Sequence, residues 1–174
     1  MKSKAIIAAL AVMIPLGNLS AEEPGKDTPA LHLEAALRAV YAAVVHCQEE
    51  GYAVSAAVVS REGVLRALAR ADGAGPHTVD SSTRKAYTAA SLKVPTQELA
   101  ELIAHKPQVQ GLRDMNERIL ILGGGLPIRI GKTVVGGIGV GGAPGAHLDE
   151  ACARAGLQAM EKELPDSDSF PDPR

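Results

Sequence analysis

The stretch AVSAAVVSREGVLRALARA, residues 53–71, decides how this chain folds. Ala53–Val59 and Val64–Ala71 are two short runs of β-forming and small apolar residues, with Ser60-Arg61-Glu62-Gly63 between them. A loop of that length with a glycine in it joins two strands as a hairpin. Strands joined so tightly pair antiparallel. Arg66 and Arg70 are even-spaced on the second run, so they share one sheet face.

Upstream of the hairpin, Leu33–Glu50 has helical spacing, with Leu33, Leu37, Val40, Val44 and Cys47 on one stripe and Gly51 as the stop. Downstream, the turn cluster Asp72–Pro76 leads into a helix over about 78–92. A third helix, Thr96–His105, lies between Pro95 and Pro107, and Gln108–Asn116 reads as one more helical turn plus loop. Ile119–Leu122, Leu126–Ile130 and Thr133–Val140 are three further strands, punctuated by Gly123-Gly124-Gly125 and Gly131-Lys132. The last helix covers about 147–163, with Asp149 and Glu150 in the first turn, where the helix dipole favours negative charge. Its apolar stripe is Leu148, Ala151, Cys152, Ala155 and Ala159.

The order α-ββ-αα-βββ-α predicts an α+β domain, one antiparallel five-stranded sheet flanked by helices. If the first and last helices lie side by side, Cys47 and Cys152 face one seam. A bridge and a pair of buried free thiols are both open at this stage.

Composition bounds the function. The chain has 174 residues, 46% hydrophobic and 22% charged, with net charge −2, the size and balance of one globular domain. A charge so near zero exerts no general pull on nucleic acid. With no Trp and one Phe, the chain also lacks the stacking platform of single-strand binders. Lys2 and Lys4, the apolar run Ala5–Leu16 and the small residues before Glu22 have the layout of a secretory signal peptide cut after Ala21. The apolar run is too short to span a bilayer, so residues 1–21 are assigned to export, 22–32 to a flexible leader, 33–164 to the domain and 165–174 to a loose tail. The expectation is an exported, periplasmic protein with no membrane span. Such a compartment permits disulfides.

Chemistry-bearing residues gather on the helix after Pro76. At 100° per residue, His77, Ser81, Arg84 and Thr88 fall on one side with Lys85 flanking, opposite Val79, Thr83, Ala86 and Ala90. A solvated polar face is one reading. The other is a surface for an anionic ligand, with Arg84 and Lys85 binding carboxylate or phosphate and His77 available to a metal. His147, beside a glycine-rich stretch, is the second metal candidate; His32, His46 and His105 are weaker ones. No HExxH pair or C-x-x-C motif is present. Gly136–Gly142 matches neither nucleotide-binding glycine pattern and reads as a strand closely approached by another backbone or a ligand.

The segments AVVSREGVLRALARADGAGP (57–76), SSTRKAYTAASLKVPTQEL (81–99) and GGGLPIRIGKTVVGGIGVGGAPGAHLDEACARAGL (123–157), in this order after an opening helix, resemble the haem-binding GlcG/HbpS-like family, also seen as the C-terminal domain of PduO-type proteins. The resemblance covers about residues 33–160. It implies a profilin-like or PAS-like layered fold, homo-oligomers and, in some members, binding of haem and a part in its capture or breakdown. On that resemblance His77 is the first axial candidate, with Arg84 and Lys85 toward the propionates. Three readings follow: a haem (tetrapyrrole) binder for capture, handling or sensing; an enzyme acting on haem or another small anionic substrate; and a structural oligomeric module.

Overall fold

Residues 30–161 are described by the computed structural model. The signal-peptide assignment (1–21), residues 22–29 of the leader and the tail (165–174) lie outside them. The elements are α1 (Leu33–Glu49), β1 (Ser55–Ser60), β2 (Leu65–Arg70), α2 (His77–Leu92), α3 (Thr96–His105), a 3-10 segment (Pro107–Asp114), β3 (Gly125–Ile130), β4 (Thr133–Gly141) and α4 (Ala146–Glu161). The strands form one antiparallel sheet in the order β2-β1-β4-β3. The expected hairpin is present, with Ala57 opposite Leu68 and a register shift at Val58/Val59.

The sheet has four strands, not five. Ile119–Leu122 is the expected strand that does not form, because side chains of α2 take its backbone groups. The Leu120 N–H donates to Thr88 Oγ1 at 2.8 Å, and the Ile119 carbonyl accepts from Arg84 Nη2 at 2.8 Å. Backbone groups satisfied this way need no sheet neighbour. The apolar side chains Ile119 and Ile121 instead close a small core with Leu99 and Ile103 of α3.

Helices cover both sheet faces. On one face α1 and α4 pack over Ala56, Val58, Ile138 and Val140. On the other, α2 lies against β4 at backbone contact. A Cβ on Gly137 would collide with the Ala86 carbonyl, and one on Gly139 with the Ser82 carbonyl. These two glycines and Gly141 alternate along β4 and so share a face. The glycine-rich stretch thus accommodates a helix backbone, as the approach of another chain segment predicts.

Close approach also sets the α1–α4 seam. The buried residues of α1 are Ala36, Ala39, Val40, Ala43, Val44 and Cys47. Leu33 and Leu37, expected on the inner stripe, are 45% and 51% exposed. Alanines replace them inside because α4 approaches through Gly156, where a Cβ would sit 2.6 Å from the Ala39 carbonyl. In α4 the buried residues include Cys152 and Ala153, whereas Ala151 is exposed. Cys47 and Cys152 are disulfide-bonded, with Cα atoms 5.6 Å apart and a sequence separation of 105. Among the described residues, no helix is long and apolar enough to cross a membrane.

Closing so long a loop removes much denatured-chain entropy. Replacing both cysteines with alanine should therefore lower stability by about 4 kcal/mol in urea unfolding; an unmoved midpoint would contradict this account of the bridge.

Candidate functional site

The predicted site residues on α2 are largely engaged inside the protein. Lys85 does not flank an open face: it is 2% exposed. Its Nζ donates to Asp149 Oδ2 at 2.7 Å and to the Val140 carbonyl at 2.9 Å. Asp149 Oδ1 in turn accepts from the Ala143 N–H at 3.0 Å. Burial pushes the Asp149 carboxyl up from the usual carboxylate range, against the Lys85 ammonium and the Ala143 and Gly142 amides, which draw it down. This ion pair ties the middle of α2 to the end of β4 and the start of α4.

Thr88 is buried as well; besides receiving Leu120, its hydroxyl donates to the Arg84 carbonyl at 2.8 Å. Arg84 holds Ile119 and makes a long, exposed contact to Asp80 at 3.5 Å, which adds little. Ser81 donates to the Thr78 carbonyl at 3.3 Å and stands against Gly141. The wheel projection failed in rotation. The glycine face of β4 lets the helix turn Ser82, Lys85 and Ala86 inward, so a polar residue becomes core where no large apolar side chain has room.

His77 is exposed at the start of α2. His147, exposed at the start of α4, lines a small groove of about 410 Å³ with Glu101, Glu150 and Arg154. Among the described residues, no group of three His, Cys, Asp or Glu side chains is placed to hold a metal ion.

A larger groove, about 750 Å³, opens elsewhere, between the start of α1, the edge strand β3 and the end of α4. Volumes of this order suit small-molecule and cofactor ligands. Its wall is aliphatic: Pro127, Ile128 and Ile130 come from β3, and Leu157 and Met160 from α4. Pro127 has no N–H to give a ladder and is tolerated at a sheet edge. Polar groups enter from α1 and β3. His32 caps α1 and is exposed; Glu34 and Arg38 follow on that helix, and Arg129 lies on β3.

Arg38 is the unusual member. Its Nε and Nη1 are buried and have no hydrogen-bond partner among the described residues. Leaving a buried donor unpaired costs about 1–3 kcal/mol, more for a charged group. Arg129 is anchored by donating from Nη2 to the Lys93 carbonyl at 2.7 Å. The sequence ranked His32 low and passed over Arg38 and Arg129. The available signal was a guanidinium one residue from the buried alanines of α1.

Residues 31–158 match the family model described as "Haem degrading protein HbpS-like". A crystal structure of a double mutant of Streptomyces reticuli HbpS is 42% identical, covering 90% of this chain and all of that one, with a TM-score of 0.72. An "Uncharacterized 15.0 kDa protein in dhaT-dhaS intergenic region" of Citrobacter freundii is 34% identical over 131 residues, 75% of this chain and 92% of the relative. The crystal structure of a "PduOC:Heme Complex" aligns over 76% of this chain and 96% of its own with a TM-score of 0.70; at 24% identity this likeness speaks for the fold alone.

Two variants test the roles of the α2 residues. Lys85→Met strands Asp149 in the interior and should cost about 3–5 kcal/mol in denaturant unfolding. Thr88→Val should cost about 1–3 kcal/mol and speed hydrogen exchange at the Leu120 amide; unchanged exchange there would argue against the hydroxyl's hold on that segment.

Proposed function

The chain belongs to the HbpS-like family, and from that premise we propose that it binds haem in the groove between α1, β3 and α4. The observation that carries this reading is the pairing of an aliphatic wall with two buried nitrogens of Arg38, Nε and Nη1, that have no partner among the described residues. Haem has the matching chemistry, a flat apolar body with carboxylates at one edge. Ile128, Ile130 and Leu157 would hold the macrocycle, with Arg38 and Arg129 toward the propionates. His32 would offer its imidazole to the iron. When bound, the group supplies iron ligation and redox chemistry. The protein's contribution is a partly dry seat, a nitrogen donor and countercharge.

His77 lies outside the residues lining this groove. In a hemin titration, His32→Ala should shift the Soret band and weaken binding by about tenfold or more, equivalent to roughly 1.4 kcal/mol. His77→Ala should leave both unchanged. The reverse result moves the site to α2.

The family's description favours breakdown of haem as a second reading. It predicts loss of the Soret band with release of iron when bound hemin is given a reductant and oxygen, rather than a stable spectrum. We further propose that the protein is exported, which the disulfide supports since such bridges persist in oxidising compartments. We also propose that it self-associates. Leu33, Leu37 and Tyr41, which is 71% exposed, recur every four residues as an outward apolar stripe on α1, and this favours assembly.

A further inference from the structure

We propose that Arg38, assisted by Arg129, is a carboxylate clamp that makes the groove selective for tetrapyrroles carrying free acid side chains. The inference rests on the haem reading above and names what that site recognises. Arginine does not shed its proton in a protein, so a buried guanidinium cannot escape its desolvation by becoming neutral. Two nitrogens of Arg38 are in that position, buried and unpartnered among the described residues. Glu34, one turn earlier and lining the same groove, is not within ion-pair distance of it. No anion among the described residues meets these nitrogens, and under this proposal that place goes to an acid group of the guest.

The planar guanidinium fork matches a carboxylate in two parallel hydrogen bonds, which gives orientation as well as attraction. Arg129 supplies a second cation on the facing strand, with its arm fixed by the Lys93 carbonyl. The rest of the wall is aliphatic, so the anion that suits the groove is one attached to an apolar body rather than a small hydrated ion. Esterifying the acid groups removes the charge and the paired acceptors while leaving the apolar body intact. A site built to bond a polar group discriminates strongly against the analogue that lacks it.

The test titrates the purified chain with hemin, hemin dimethyl ester and metal-free protoporphyrin, followed by absorbance and fluorescence. Hemin should bind at least about tenfold more tightly than its diester. Arg38→Met, which keeps the apolar stem, should shrink that difference to about twofold or less without changing the far-ultraviolet circular dichroism. If that variant does not fold, Arg129→Gln, at an exposed strand position, should narrow the gap in the same direction. Tight metal-free protoporphyrin binding, lost in Arg38→Met, would also support the clamp. Equal binding of acid and ester by the unaltered chain, or an undiminished gap in Arg38→Met, overturns the clamp and leaves the haem reading standing. Binding of none of the three compounds overturns both.

Discussion

The contact between the backbone of α2 and the glycine face of β4 governs the arrangement of the molecule. Side chains on either surface would hold a helix and a strand apart. Here Gly137 and Gly139 leave room for the carbonyls of Ala86 and Ser82 themselves. Little volume then remains for large apolar groups, and the buried face of α2 is built from Ser82, Lys85, Ala86, Thr88 and Ala89. The polar members must satisfy one another or nearby backbone, and they do. Lys85 meets Asp149 and Val140, and Thr88 meets Leu120. A sheet packed this closely trades hydrophobic burial for directed bonds, which fixes the position of neighbouring loops as well as of the helix.

That exchange explains why the ligand surface expected on α2 is mostly framework. Hydroxyls and cations grouped on a helix suggest a binding face only when a conventional apolar stripe lies opposite them. Against a glycine strand the same residues become internal struts. The groove at the other side of the sheet has the reverse character: an aliphatic wall, and a half-buried cation, Arg38, two of whose nitrogens are buried without a partner in the described part of the chain. Spare bonding capacity is greater there: Arg38 keeps two buried nitrogens unpaired among the described residues, against one, Nε of Arg84, on α2.

Much of the architecture was legible from local signals. Gly63 marked the hairpin, Pro95 and Pro107 bounded α3, and the small residues of α4 marked a close helix seam. The helical spacing also put Cys47 and Cys152 toward that seam, though only the folded chain shows them joined. Ile119–Leu122 was misread because its apolar pattern suits a strand equally well; the deciding bonds come from Thr88 and Arg84, some thirty residues away. The groove was less legible still. His32, Arg38, Arg129 and Met160 come from three separated elements, and no spacing rule joins them before the sheet has brought β3 beside α1 and α4.

The bridge and the groove occupy opposite ends of one antiparallel helix pair. Cys47 lies nine positions beyond Arg38 on α1, a distance of about 13 Å at the usual helical rise. Leu157 and Met160 stand correspondingly past Cys152 on α4. Between them the helices stay in backbone contact, Gly156 against the Ala39 carbonyl, so the covalent tie at one end and the close packing beside Arg38 make the groove's helical wall a single stiff piece.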